Sequence, residues 1–423
     1  MKNHFIPVEE NYHKTELGFL PKNWKIQELG NLSKFIVPQR NKPKKFDGNI
    51  PWVRIEDFDG KYLFRSKSHQ RVSKETIKEM RLRPFPIGSV LCSCSGNMGI
   101  CAITKEVLVS NQTFIGIVPD NNLNAEYLYY LLGFSKQRLT KLGIGVTIKY
   151  ISKNKFKTLK IQLPPYSEQE KIAATLWAIQ EATEKTTNVI LRLQDFKKSL
   201  MKHLFTYGPI SFKDVNKIKL KKTEVGDFNK AWKVSRLDGI AEVIMGQSPK
   251  GVTYNTKGEG LPLINGPTEF GPRHPHILQW TTKPTKLCHN NDILFCFRGN
   301  TLGRLNIANQ GYCIGRGIAA IREKKGKTDT MFLYYYLEKR AEVIYRMCEG
   351  VNSTFPNISG ANLRKIEVVT PPLSIQKQIA SILYRIDNTI QTEINKKVGL
   401  ENFFKSMLQS LMKAEIRVAN WED

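Results

Sequence analysis

The sequence repeats itself, and this constrains its architecture more than any other feature. TELGFLPKNWKIQELG from Thr15 returns as TEVGDFNKAWKVSRLDG from Thr223, setting Trp24 against Trp232 and Leu29 against Leu237, each pair 208 positions apart. PPYSEQEKIA from Pro164 is answered by PPLSIQKQIA from Pro371 at an offset of 207, with six of ten residues identical. Between these landmarks CSGNMG, with Gly96 and Asn97, faces FRGNTLG, with Gly299 and Asn300, and EYLYYLL from Glu126 faces MFLYYYL from Met331. The order is kept while the offset drifts by a few residues, so one module has been duplicated and its loops have changed length.

Each copy runs through a mixed segment of short apolar runs with Gly and Pro, then a Pro-Pro junction, then one long helical pattern. The run ISKNKFKTLKIQL reads as a strand at its end, and Pro164-Pro165 cannot continue a ladder. Ser167 with Glu170 forms a capping-box pattern, and Ser374 is the matching cap in the second copy. Apolar residues follow at Ile172, Leu176, Ile179, Ile190, Leu193, Phe196, Leu200 and Leu204, with Thr183 and Thr186 filling two slots. Ile379, Leu383, Ile386, Ile390, Leu400, Phe403, Met407 and Leu411 repeat the stripe, interrupted at Glu393 and Lys397, where the seam shifts to Ile394 and Val398. Steps of three and four mark a coiled-coil seam. Ser167 to Leu204 is 38 residues, about 57 Å of helix at about 1.5 Å per residue. One such stripe cannot be buried alone, so the two helices are expected to pair antiparallel.

A chain of 423 residues exceeds one ordinary core. The expected fold is α+β: two similar mixed α/β domains, each followed by a long helix, the helices forming an antiparallel coiled coil with internal pseudo-twofold symmetry. The expected boundaries are a first domain at 1–166, its helix at 167–206, a second domain at 207–373 that opens with a basic linker at 207–222, its helix at 374–415, and a tail at 416–423.

Lys and Arg number 65 against 38 Asp and Glu, a net charge of +27 spread through every region, with a sequence pI near 9.7. Such an excess favours a polyanion met over a broad surface, with nucleic acid ahead of a solvated basic scaffold. No apolar run has the length of a spanning helix, and MKNHFIPVEENYHK lacks a signal peptide's apolar core, so no membrane association and a cytoplasmic location are expected. Cys92, Cys94, Cys101, Cys288, Cys296, Cys313 and Cys348 include no C-x-x-C pair and read as small core residues.

Catalytic motifs are missing. There is no G-x-x-x-x-G-K-[ST] phosphate loop and no strand-linked G-x-G-x-x-G. Leu163-Pro164-Pro165-Tyr166 resembles the Asn/Asp-Pro-Pro-Tyr/Phe motif of amino-methyltransferases, but Leu163 cannot hold an amino group, and recurrence as Thr370-Pro371-Pro372-Leu373 marks a strand-to-helix hinge. His274 and His276, in GPRHPHIL, lack nearby Cys or carboxylates and read as a loop without metal. Glu56, Asp57 and Asp59 in RIEDFDG are close enough to suggest a magnesium-dependent nuclease, yet the second copy has Asn265-Gly266-Pro267-Thr268-Glu269 there. A self-sufficient nuclease is therefore the weaker alternative, and a stand-alone DNA-binding regulator the other.

The W-x-x-x-x-L opening, the PWVRI-x-D segment, the G-N-x-G loop, the L-Y-Y-x-L helix and the PP-x-S-x-Q-x-x-IA helix start resemble, in their order and duplication, the specificity subunits of type I restriction-modification enzymes. The resemblance covers nearly the whole chain. It implies two target-recognition domains, each gripping half of a split double-stranded DNA site, with the helices as spacer and docking surface. It also implies a non-catalytic chain without cofactors. Its partners would be two methyltransferase subunits using S-adenosylmethionine and restriction/translocase subunits using ATP and magnesium.

Candidate DNA-binding residues follow from chemistry and loop position. In the first domain they are Gln39 and Arg40, Arg54 beside Trp52, Ser95 and Asn97, and Thr147 and Lys149. In the second they are Gln247, Ser248, Asn265, Arg298, Asn300, Asn352, Ser353 and Thr354. Arg298 leads, because it precedes a Gly-Asn turn at the end of the apolar run ILFCF and Arg commonly reads guanine. GVNSTFPNIS from Gly350 fits the family pattern, whereas GVTIKYIS from Gly145 lacks its Asn, Ser and Pro, so the two loops are expected to bind differently.

Overall fold

The computed structural model describes residues 11–38, 42–96, 98–143, 150–348 and 356–418. Two units emerge, Met1–Thr187 with Asn395–Asp423, and Asn188–Ile394.

In unit 1, short apolar runs form the strands β1 (Ser33–Ile36), β2 (Ile50–Val53), β3 (Val90–Ser93), β4 (Cys101–Thr104), β5 (Val109–Ser110) and β6 (Phe114–Pro119). β3 and β4 are buried at every position, which is why they read as continuous rather than alternating apolar segments. The central sheet runs β1-β6-β3-β4 with antiparallel neighbours, and Tyr62–Leu63 adds a parallel edge beyond β4. β2 and β5 pair in parallel in a second small sheet. Helix α1 (Ala125–Phe134) starts at Asn124, whose side chain accepts from the amides of Glu126 and Tyr127 at 2.9 and 3.0 Å. It buries Tyr127, Leu128 and Leu131 in the unit's core.

Unit 2 repeats the plan with β7 (Ala241–Met245), β8 (Leu261–Ile264), β9 (Ile293–Cys296), β10 (Leu305–Ile307), β11 (Tyr312–Ile314) and β12 (Ile318–Glu323). Its central sheet runs β7-β12-β9-β10, and β8 lies parallel to β11. The long helices are α2 (Tyr166–Tyr207) and, after α3 (Thr330–Cys348), α4 (Leu373–Met412).

Neither serine caps its long helix. The amides of Glu168 and Gln169 bond to the carbonyl of Pro165 at 2.9 and 3.0 Å, and Gln376 bonds to that of Pro372 at 3.0 Å. Proline fits there because its fixed φ suits the entry and the first turn has amides to spare. The glutamine of the PP-x-S-x-Q motif secures the junction instead. Gln169, buried, donates to the carbonyls of Asn122 and Pro164 at 2.9 and 3.0 Å and accepts from the amide of Asn124 at 2.9 Å. Gln376 likewise donates to Pro371 O and accepts from Asp329 N and Thr328 Oγ1, all between 2.9 and 3.0 Å. In both units one buried amide ties strand, long helix and the cap of the shorter helix together.

Within unit 1 the start of α2 meets the end of α4. Ile172, Leu176 and Ile179 share a core with Met407, Leu411 and Met412, and Gln162 Nε2 donates to Met412 O at 3.0 Å. Within unit 2, Met201, Leu204 and Phe205 pack with Ile379, Ala380 and Leu383, and Lys197 pairs with Asp387 at 2.8 Å. The helix segments thus run antiparallel inside each unit. Phe196 and Phe403, expected in the seam, are instead 51% exposed each, and Val398 is also exposed. Beyond α4 the chain stays packed as far as Val418: Tyr12 Oη donates to Ala414 O at 2.8 Å, and Arg417 and Trp24 Nε1 both donate to buried Glu168.

A cation clasps each mixed sheet to its helix. The Lys61 side chain is wholly buried, with Nζ 3.9 Å from the Trp177 ring centroid and 3.1 Å from Glu126. In unit 2 the Arg273 guanidinium lies 4.2 Å over Tyr384 and bonds Asn388 at 3.0 Å. The carbonyls of Lys61 and Arg273 both accept at 2.8 Å, from the amides of Ile103 and Ile307. Their backbones are therefore equivalent although the residues stand 212 positions apart.

Candidate nucleic-acid interface

The described candidates converge on one end of the sheets in each unit. In unit 2, Met245 pairs with Ala319 and Cys296 with Ile318, so the chain leaving β7, the chain leaving β9 and the chain entering β12 emerge side by side. The first carries Gln247 and Ser248, the second Arg298 and Asn300, and the third Gly315, Arg316 and Gly317. Asn265, leaving β8, joins them because β8 parallels β11 and Gly315 N bonds Ile264 O at 2.8 Å. Ser248 Oγ accepts from Arg316 N at 3.0 Å and lies 3.5 Å from Asn265 Oδ1. The approach is close enough that a Cβ on Gly315 would fall 2.2 Å from that Asn265 oxygen, so only glycine fits.

Unit 1 has the same end. Gly116 pairs with Ile36 and Phe114 with Ser93, so the segments after β1 and β3 flank the turn Asn111–Thr113 before β6. Arg54 leaves β2 beside that turn, since Ser110 pairs with Val53. Two pairs of underlying bonds match between the units. Cys94 N donates to Thr113 O at 2.9 Å and Phe297 N to Gly317 O at 3.1 Å, while Ile151 N donates to Cys94 O and Ile358 N to Phe297 O at 2.9 and 3.0 Å. Isolated bridges join Ser95 to Tyr150 and Arg298 to Asn357, so the Gly-Asn loop meets the segment after the GVT or GVNST stretch. Gly96 and Gly299 hold φ at +64° and +75°, the left-handed turn both loops need.

The side chains differ in how free they are. Arg298 and Asn300 are exposed, and the Arg298 guanidinium makes no hydrogen bond or ion pair among the described residues. Gln247 is exposed; Ser248, Asn265 and Ser95 are half-buried. Arg54 is partly engaged within unit 1, donating to Gln70 Oε1 at 2.7 Å and lying 3.3 Å from Glu56. Gln39, Arg40, Asn97, Thr147, Lys149, Asn352, Ser353 and Thr354 lie outside the described residues.

The carboxylates weighed for a metal serve the turn after β2. Asp57 is buried and accepts from the amides of Arg54 and Lys67 at 2.7 Å each, and Asp59 pairs with Lys67 at 3.4 Å. Glu269 plays the same part in unit 2, accepting from Gly266 N at 3.2 Å. His274 bonds a ring nitrogen to Ile307 O at 2.9 Å in a loop. A cavity of about 1510 Å³ in unit 2, lined by Lys197, Lys202, His203, Phe212, Glu338 and Lys339 among others, borrows no residue from the sheet end. There, burial together with Arg340 and Lys202 pushes the Lys339 ammonium down to about 8. No helix among the described residues is long and apolar enough to cross a membrane.

Sequence reasoning missed Gln112 and Arg316, both exposed at the third loop of the sheet end. The signal was present: each occupies the same place in the two short turns SNQTF and IGRGI.

A basic chain built of two such units, each with polar loops gathered at one sheet end, belongs by sequence to the type I restriction modification DNA specificity domain family, which matches it twice, over residues 21–194 and 229–402. Its role is that of a DNA-recognition subunit, not a catalyst, working with DNA and other restriction-modification subunits. It is 33% identical to the putative type I restriction enzyme MjaX specificity subunit of Methanocaldococcus jannaschii over 97% of both chains. It is 23% identical to the EcoDI specificity subunit of Escherichia coli over 96% of this chain and 91% of that one. The fold is shared with the crystal structure of the S subunit from M. genitalium, at a TM-score of 0.61, 16% identity and coverage of 92% of this chain and 96% of that one. A structure from a study of type I complex assembly and conformational transition matches at a TM-score of 0.58, with 23% identity over 94% and 99% of the two chains.

Proposed function

We propose that each sheet end reads one half of a bipartite, asymmetric double-stranded DNA site. On this reading recognition belongs to 1–166 and 207–373, and the helices at 167–206 and 374–415 set the gap and dock the partners. One observation carries it: the same loops meet at the same sheet end in both units, on matching backbone bonds, with different side chains at equivalent places. Ser95 stands where unit 2 has Arg298, and Gln112 where it has Arg316. Two unlike readers on one scaffold suit two unlike half-sites.

The partners are two methyltransferase subunits, which bring S-adenosylmethionine, and restriction/translocase subunits, which bring ATP and magnesium. Each long helix carries an exposed apolar pair at the repeat offset of 207, Leu191 and Phe196 on α2 and Val398 and Phe403 on α4, and these pairs support two equivalent docking sites. The test is native mass spectrometry of the chain co-expressed with its methyltransferase. Two copies per chain are expected, and Phe196→Asp or Phe403→Asp should each remove one. A chain that stays monomeric beside a competent methyltransferase favours the stand-alone regulator.

A further inference from the structure

We infer that Gln112 and Arg316 are specificity-determining residues, one base-reading position occupied by two different side chains. The inference rests on the sheet end being the DNA interface and deepens that reading.

Both residues sit at the centre of a short turn entering the middle of the central sheet, at β6 in unit 1 and β12 in unit 2, with candidate loops on either side. Both are exposed, and neither side-chain head has a hydrogen bond or ion pair among the described residues. Exposed arginines commonly find a carboxylate, yet Arg316 points its charge at none among the described residues.

The backbones beneath are held rigidly. Arg316 N donates to Ser248 Oγ at 3.0 Å, and Gly315 and Gly317 press against Asn265 on either side, where a Cβ would meet its oxygens at 2.2 and 3.1 Å. In unit 1, Asn111 Oδ1 accepts from Thr113 N at 3.1 Å and so closes the turn under Gln112, while Thr113 O is tied to Cys94 N at 2.9 Å. A free polar head on an immobilised backbone is what base reading requires, because the geometry is set before DNA arrives. Arg donates two N–H bonds to guanine O6 and N7, and Gln accepts from adenine N6 while donating to N7. Arg316 therefore reads a guanine in its half-site and Gln112 an adenine in the other.

The experiment uses the full chain assembled with its methyltransferase, assayed for methyl transfer on duplexes carrying every single-base change in the methylated motif. Arg316→Gln should lose about a ten- to hundredfold preference at one guanine of one half-site and leave the other half-site unchanged. Gln112→Arg should change one adenine position in the opposite half-site. Arg316→Lys keeps the charge and loses the planar fork, so it should lose part of that discrimination with an unaltered salt dependence of DNA binding. Because the residue is exposed, these variants should melt with the wild type. A uniform loss across all duplexes with the salt slope reduced by about 1 would make Arg316 a phosphate contact and overturn the assignment; so would wild-type discrimination in every variant. A wild-type complex indifferent to all base changes contradicts the interface reading itself, a result separable from either.

Discussion

The two sheet ends share a backbone and differ in what they present. Beneath them the bonds from Cys94 and Phe297 and from Ile151 and Ile358 correspond, and one bridge from each Gly-Asn loop closes on the same later segment. Above them unit 2 places Arg298 and Arg316 where unit 1 has Ser95 and Gln112. Main-chain bonding and a few close-packed glycines maintain the scaffold, so the outward side chains are free to change. On the proposed reading, that separation lets one module serve two different half-sites.

The shared part should break alike in both units. Gln169→Ala and Gln376→Ala each strand buried backbone groups at the strand-helix junction, and each should cost about 3 kcal/mol, since an unpaired buried polar group costs about 1–3 kcal/mol. Urea unfolding checks this, and a silent variant in one unit alone would show the device is not shared. The clasps should differ. Lys61→Ala removes a wholly buried ammonium and leaves Glu126, itself one-third exposed, without it, for about 2 kcal/mol. Arg273→Ala acts on a more exposed group and should cost about 1 kcal/mol or less.

At the sheet ends themselves, Arg298→Ala should weaken DNA binding about tenfold, a phosphate or base contact of about 1–3 kcal/mol, while the matching Ser95→Ala changes it by a few tenths. Fluorescence anisotropy at two salt concentrations reads both. Equal losses would mean the two ends are used alike.

The smallest difference concerns pH. Burial works against the Glu126 carboxylate, but hydrogen bonds from Tyr62 and Lys61 outweigh it and hold its pKa below 4.5. Its stabilisation is present above 4.5 and lost as the pH falls through the lower folded value. Burial raises Glu338 above 4.5 despite Lys197, so its contribution is present below 4.5 and lost as the pH rises through the higher folded value. Glu126→Gln should flatten the melting profile on the acid side of 4.5, and Glu338→Gln on the alkaline side. Superimposable profiles would remove this distinction between the two glutamates.

The duplication, the strand-stopping Pro-Pro hinges and the two long helices were legible because periodicity and proline act locally. The serine caps failed for a reason of the same kind. A capping box competes only for the first turn, and here Pro165 with Gln169 had already filled it through contacts to Asn122 and Asn124 more than forty residues away. Phe196 and Phe403 fitted a heptad, but a seam shared with Thr183, Thr186 and Lys197 drifts, and both rings turn outward. Lys61 and Arg273 were hidden because unequal loops move them off the repeat offset. At the sheet end, reading polar residues after apolar runs found the loops that leave strands and missed Gln112 and Arg316, which enter one.

Two unlike readers on one duplicated scaffold should leave a matching signature in the genome, which methylome sequencing of cells carrying the complete system would reveal. The methylated motif is expected in two unlike halves separated by a gap of indifferent sequence. A single continuous palindrome would contradict it.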